Sequence, residues 1–252
     1  MAKRIDRPVW LPEWQRQTDI TVYALRVKDY LNQSVEPWLP LFSQKRQQEI
    51  AAYYFQPEKT RTVMAELLIR WLLAAYSGRP LAEIFLAWEK NGKPFWPGGN
   101  LQFNLSHSGA WVACSLGSFA NGVDVEAFQP LDSALAQNFF RQDEYSYLMA
   151  LPLSQCYREM IRFWTLKESF LKYTGMGMQG KLEDANCLKL PHGENDVAAR
   201  SFQLPDGAWL SVCGFQQNMP QKLTILDICL EDMPGNSGCI DFCPVGEIFY
   251  FV

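Results

Sequence analysis

Two stretches of this chain echo each other, and a repeated chain is constrained to fold as two similar units. Leu41-Phe42-Ser43-Gln44, followed by a mixed helical pattern to Ala52, is mirrored by Phe139-Phe140-Arg141-Gln142 and a similar pattern to Ala150. A longer helical pattern follows each and ends in a matching signal, Tyr76-Ser77-Gly78 in one and Tyr173-Thr174-Gly175 in the other. Glycine suits that place because it enters the left-handed conformation past the last helical turn without steric cost. Alternating apolar segments then read as strands: Ile84 to Trp88, Leu101 to Leu105 and Trp111 to Leu116 in the first half, Trp209 to Phe215 and Leu223 to Leu230 in the second. The pattern predicts an α+β pseudodimer of two similar halves, each a helix pair packed on an antiparallel sheet. The seam is expected near Asn121-Gly122, dividing the chain into 1–121 and 122–252, with extensions before about 18 and after about 232 and a loop signal at Pro234-Gly235-Asn236-Ser237-Gly238.

At 252 residues each half is long enough to hold its own core. Lys plus Arg at 23 against Asp plus Glu at 27 gives a net charge of -4, which offers no general attraction to nucleic acid or to an anionic membrane. An anionic ligand must therefore be held by a local cluster. The opening MAKRIDRPVW lacks an apolar signal region and no run reaches the roughly 18 apolar residues of a spanning helix, so a cytoplasmic protein with no membrane partner is expected. Seven cysteines, an odd number, fit free thiols in a reducing compartment. Cys239 and Cys243 are the only close pair, and His107 and His192 lie too far along the chain to complete a recognisable zinc spacing.

Four segments carry the chemistry. In Gly122-Val123-Asp124-Val125-Glu126, a strand would point Asp124 and Glu126 to one side and both valines to the core. Paired carboxylates on a rigid strand suit a hard cation such as magnesium, although alone they also read as a solvated strand face. In Phe163-Trp164-Thr165-Leu166-Lys167-Glu168-Ser169-Phe170-Leu171-Lys172, helical spacing makes Phe163, Leu166, Phe170 and Tyr173 the buried stripe. Trp164, Glu168 and Lys172 fall together on another face, where the bland reading is a surface pair. In Phe103-Asn104-Leu105-Ser106-His107-Ser108, a strand runs into a polar turn whose hydroxyl and imidazole can hold phosphate oxygens. A Ser-His nucleophile is the rival, but adjacent strand residues point apart and no G-x-S-x-G elbow is present. Asn91-Gly92-Lys93-Pro94 reads as a turn that places a lysine on a loop.

In order and spacing, GKP at 92–94, FNLSHS at 103–108, GVDVE at 122–126 and FWTLKESFLK at 163–172 resemble the motif set of the two-repeat, surfactin-synthetase-type 4'-phosphopantetheinyl transferases. The resemblance spans about residues 20 to 232. It implies coenzyme A in a cleft between the halves, with magnesium on its pyrophosphate held by Asp124, Glu126 and Glu168. It also implies Lys172 and Ser106 at the pyrophosphate, His107, Arg61 and Lys45 at the 3'-phosphate, and Lys93 at the adenosine end. The implied reaction is attack of a carrier-protein serine on the β-phosphorus with release of adenosine 3',5'-bisphosphate, Glu168 taking the proton and Lys172 beside it. The pattern departs at Gln48, where the family often has a second basic residue; Arg46 is the nearest substitute.

Because the repeat supplies both walls of such a cleft, a monomer is expected. Two other readings remain at this level: another magnesium-dependent phosphoryl-transfer enzyme such as a nuclease, which lacks a basic stripe here, and a catalytically silent module that binds coenzyme A or a carrier. Which acyl- or peptidyl-carrier protein is served is not written in these motifs.

Overall fold

The computed structural model describes residues 11, 19–128, 137–176, 180–228 and 242–250. Cys239 and the loop signal at 234–238 lie outside them.

Each half holds one short and one long helix at matching places. Helix α1 (Gln44–Ala51, 8 residues) starts at Ser43, whose hydroxyl accepts the Arg46 amide, and α2 (Gln56–Ser77, 22 residues) closes at Gly78 with φ 67°. In the second half α3 (Gln142–Met149, 8 residues) is capped by the Glu144 carboxylate taking the Arg141 amide, and α4 (Leu153–Thr174, 22 residues) closes at Gly175 with φ 73°. A buried cation repeats too. Arg70 on α2 donates to the carbonyls of Ile84 (2.7 Å) and Leu81 (3.4 Å), and Lys167 on α4 to those of Leu182 (2.9 Å) and Ala185 (2.8 Å). Lys167 also pairs with Glu144 at 2.7 Å, both side chains having no exposure. Such charges are tolerated in a core only when every lone pair and proton is used. Here Glu144 further accepts the Cys187 amide.

The strands are β1 (Thr21–Arg26), β2 (Ala87–Trp88), β3 (Pro94–Phe95), β4 (Gln102–Ser108), β5 (Trp111–Gly117), β6 (Asn121–Glu126), β7 (Val197–Gln203), β8 (Trp209–Phe215), β9 (Lys222–Ile228) and β10 (Phe242–Phe249). They form a five-stranded sheet ordered β10-β9-β1-β5-β4, a three-stranded sheet β6-β8-β7 and the hairpin β2-β3. Neighbours are antiparallel except β1 and β9. The layers run helix, sheet, sheet, helix. Val63, Leu67 and Trp71 of α2 cover Leu25, Val112 and Cys114. The two sheets meet through Val22, Ala24 and Ala113 against Val123, Val125 and Val212, and Met160, Phe163 and Leu166 of α4 close the outer face of the small sheet. The architecture is thus α+β with two similar halves. Among the described residues no helix is long and apolar enough to cross a membrane.

Three strand expectations change. The segment beginning at Leu223, expected in the second half, leaves it: β9 pairs with β1, and β10 follows from beyond residue 232, so the sheets do not divide at the seam near 121. The open edge of β1 carries backbone groups that burial would otherwise leave unpaired. The strand expected from Ile84 shortens to Ala87–Trp88, because Arg70 captures the Ile84 carbonyl and Leu81–Glu83 is a 3-10 turn. The polar turn expected at Ser106-His107-Ser108 is instead the end of β4, paired with Ala113, Val112 and Trp111, and the chain turns at Gly109 with φ 54°.

Candidate active site

β4 and β6 belong to different sheets and are joined by side chains. The Asn104 side-chain Oδ1 accepts the Val123 amide at 3.2 Å, the Ser106 hydroxyl donates to Asp124 Oδ1 at 2.8 Å, and the Ser108 hydroxyl donates to Glu126 Oε2 at 2.8 Å. The period of two on both strands makes this ladder possible. Val123 and Val125 point into the core between the sheets, so Asp124 and Glu126 point towards β4 and α4. Gly122 lets the helix come close: a Cβ there would overlap the Ser169 carbonyl and the Tyr173 amide. From that distance Lys172 Nζ reaches Asp124 Oδ1 at 2.7 Å and the Val123 carbonyl at 3.1 Å. Glu168 stands one turn earlier on the same helix face, half-buried.

Charge is unbalanced here. Burial, then the Asp124 charge, push the Glu126 carboxyl above its usual range, and the same two causes raise Glu168; Lys172 opposes both, and the Ser108 hydroxyl also opposes the rise at Glu126. Asp124 is 4% exposed, and its Oδ2 is buried with no hydrogen-bond partner. One ammonium among three carboxylates and an orphaned anionic oxygen are what a divalent cation would satisfy, so the donor set fits magnesium. Among the described residues no three His, Cys, Asp or Glu side chains are already gathered as a metal cage; Lys172 holds Asp124 Oδ1.

Lys172, Ser106, His107, Arg46, Glu66 and Trp88 line a cleft of about 300 Å³. Thr62 lines it as well, its Oγ1 buried without a partner. Burial is the largest influence on His107 and depresses its pKa; Glu58 opposes this, while Arg61 and Lys172 reinforce it. Glu58 links His107 to Arg61: its Oε1 is 3.6 Å from His107 Nδ1 and its Oε2 accepts an Arg61 N–H at 2.6 Å.

Of the residues singled out in the sequence, Ser106, Asp124 and Lys172 touch directly, with Glu126 beside them through Ser108 and Glu168 one turn along α4. His107 lines the cleft and Arg61 adjoins it. Lys45 is not brought in. Its side chain is 88% exposed and 3.9 Å from Glu49, whereas Arg46 lines the cleft, donating to Glu66 at 2.8 Å with its guanidinium 5.2 Å from the Trp88 ring centre. Lys93 is half-exposed in the β2-β3 hairpin, next to Pro94, which does line the cleft. The hairpin tip is tied to the end of α4 by Asn91 donating to the Gly175 carbonyl at 3.3 Å. Thr62, Glu66 and Trp88 were missed; Thr62 and Glu66 share the helical face of α2, a spacing that could have flagged them.

Comparison with known proteins identifies the family of the chain. Residues 120–214 match the family model "4'-phosphopantetheinyl transferase superfamily", and residues 32–117 match "4'-phosphopantetheinyl transferase, N-terminal". The 4'-phosphopantetheinyl transferase psf-1 of Bacillus pumilus is 30% identical over 202 residues, 76% of this chain and 87% of the relative. The 4'-phosphopantetheinyl transferase Sfp of Bacillus subtilis (strain 168) is 24% identical over 216 residues, 81% of this chain and 96% of its own length. The 4'-phosphopantetheinyl transferase HetI of Nostoc sp. is 32% identical over 146 residues, 55% of this chain and 61% of its own. Since the two family models take in both halves of the repeat and psf-1 aligns along most of its length, the chain belongs to the 4'-phosphopantetheinyl transferase superfamily.

Proposed function

We propose that this 4'-phosphopantetheinyl transferase moves the 4'-phosphopantetheine arm of coenzyme A onto a serine hydroxyl of an apo acyl- or peptidyl-carrier protein, working as a cytoplasmic monomer. The observation that carries the reading is Asp124, anchored through one oxygen by Ser106 and Lys172, both of which line the cleft that also carries Arg46 and His107, and without a hydrogen bond at the other oxygen.

In the reaction the serine oxygen bonds to the β-phosphorus, the bond from that phosphorus to the bridging oxygen breaks, and adenosine 3',5'-bisphosphate leaves. Glu168 suits the proton acceptor because it stands half-buried on the Lys172 face of α4, with its carboxyl pushed above the usual range by burial and the Asp124 charge, which makes it a stronger base than a free carboxylate. Lys172 and Ser106 orient the diphosphate and offset its charge. His107, Arg61 and Arg46, rather than Lys45, hold the 3'-phosphate, with Lys93 towards the adenosine. Asp124, Glu126 and Glu168 would hold magnesium, which when bound would neutralise charge developing on the 5'-phosphate of the departing adenosine 3',5'-bisphosphate.

Incubation with coenzyme A and a panel of apo carriers, followed by mass spectrometry for the added arm, tests the proposal; siderophore, polyketide, fatty-acid and lysine-biosynthesis carriers are the panel. Cleavage of plasmid DNA with no modified carrier would favour the nuclease reading, which the net charge of -4 disfavours. Coenzyme A binding without release of the bisphosphate would leave only the silent module.

A further inference from the structure

We propose that Glu58 occupies the place a 3'-phosphate would take between Arg61 and His107 and must be displaced by it, so that it holds down the affinity for nucleotides carrying that phosphate. The inference rests on the reading of this end of the cleft as the 3'-phosphate site.

Glu58 lies in the first turn of α2, one turn before Arg61. Its two oxygens are divided between two groups. Oε2 takes an N–H of Arg61 at 2.6 Å, and Oε1 stands 3.6 Å from His107 Nδ1. The rest of Arg61 is committed or enclosed: another N–H goes to the Gly109 carbonyl at 3.1 Å, Nε is buried without a partner, and only 17% of the side chain is exposed. Glu58 is the open member, with 38% of its side chain exposed. An ordinary helix-surface pair would tie up two side chains and stop there. This carboxylate instead stands between the Arg61 guanidinium and the His107 ring, which lines the cleft, and it is the more exposed of the ion pair, which is the position a phosphate held by both would take.

Two consequences follow from charge. A phosphate has three terminal oxygens and up to two negative charges, so it can outcompete a single carboxylate for Arg61 and His107. A nucleotide without the 3'-phosphate gains nothing at this point and leaves Glu58 where it is. Glu58 is thus an opposing element that only the 3'-phosphate has to overcome, and it tempers a preference that the attraction of Arg61 and His107 creates.

The test uses the full chain and calorimetric titration with adenosine 3',5'-bisphosphate and with 5'-AMP, which needs no carrier and no turnover. Wild type should bind the bisphosphate more tightly than 5'-AMP. Glu58→Gln, which keeps the shape and removes the charge, should tighten the bisphosphate by roughly three- to tenfold, the range of a partly exposed ion pair, and leave 5'-AMP unchanged. The His107 titration followed by NMR should also move down in Glu58→Gln, because the carboxylate opposing burial, Arg61 and Lys172 has gone; a merely structural role for Glu58 would not change the two nucleotides differently. If Glu58→Gln loses helical signal, Glu58→Asp, one methylene shorter, must show the same direction of change. A weakened or unchanged bisphosphate affinity in a folded variant would overturn the proposal. Equal affinity of wild type for the two nucleotides would overturn the reading of the cleft itself, and the role of Glu58 with it.

Discussion

Lys172 Nζ sits 2.7 Å from Asp124 Oδ1, so the ammonium in the carboxylate cluster is spent on the residue that lies deepest in it. Ser106 holds the same oxygen, and Oδ2 is left bare. Asp124 is therefore oriented before any ligand arrives, with its free oxygen available to a cation.

Asp124→Ala should accordingly abolish turnover, by at least about 10³-fold, since it removes both the oxygen proposed to face the metal and the anchor of Lys172. Lys172 keeps 26% exposure and can be hydrated, so the fold should survive with a melting temperature lowered by no more than about 4 to 8 °C, some 2 kcal/mol in a chain of this size. Wild type should lose activity in chelator and regain it in millimolar magnesium. Magnesium titrated into Asp124→Ala should give no binding heat; wild-type rates in that variant would sink the metal assignment.

The Lys167-Glu144 pair makes a contrasting prediction, because it has no exposure and faces away from the cleft. Glu144→Gln leaves a buried ammonium with two carbonyls and no counter-charge, which should cost about 3 to 5 kcal/mol, or roughly 10 °C in melting temperature. Below the melting range, activity per folded molecule should be unchanged. Circular-dichroism melts alongside initial rates separate these outcomes from those of Asp124→Ala.

These two lysines also show what the sequence could reveal. Glu168 and Lys172 were legible because helical spacing puts them on one face, and Gly78 and Gly175 marked helix ends because only a left-handed residue closes them. Asp124 and Glu126 were legible because strand period separates them from Val123 and Val125. Lys167 was not, since its partner Glu144 comes from another helix and no local pattern announces a buried ion pair. The choice of Arg46 over Lys45 was hidden because it depends on how α1 is rotated against α2, where Glu66 waits. β1 went unread because four of its six residues are buried, which erases alternation, and its parallel pairing with β9 is a long-range contact that no local signal encodes.

His107 gives the pH prediction. Burial holds its pKa below the usual value of about 6.5, so the folded protein favours the neutral ring. The associated stability is present above pH 6.5 and is lost as pH falls through the lower folded pKa. An incoming 3'-phosphate reverses the preference by favouring the charged ring, so binding should take up part of a proton near pH 7. Calorimetry of adenosine 3',5'-bisphosphate in buffers of different ionisation enthalpy reads that uptake directly. The ligand phosphate titrates in the same range, and therefore the informative quantity is the difference between wild type and His107→Gln. No difference between them would remove His107 from the phosphate site.

Chemistry and binding can be separated by setting Glu168→Gln against Arg61→Ala. Gln keeps the size of residue 168 and an oxygen able to face a cation, but it cannot take a proton as a carboxylate does. If Glu168 accepts the serine proton, kcat should fall by about 10² to 10⁴ while coenzyme A affinity changes little. In the proposed reading Arg61 grips a group remote from the breaking bond, so its loss should remove binding shared by ground and transition states. KM for coenzyme A should then rise about 10- to 100-fold, the loss of a charge-assisted contact, with kcat at saturation near normal. Dephospho-coenzyme A supplies an internal control, because it lacks the 3'-phosphate and should be used about equally well by wild type and Arg61→Ala. If Arg61→Ala still discriminates between the two substrates as strongly as wild type, Arg61 is not the 3'-phosphate ligand. If Glu168→Gln retains near-wild-type kcat, the proton leaves by another route, and a water oriented by the bare oxygen of Asp124 becomes the acceptor to test.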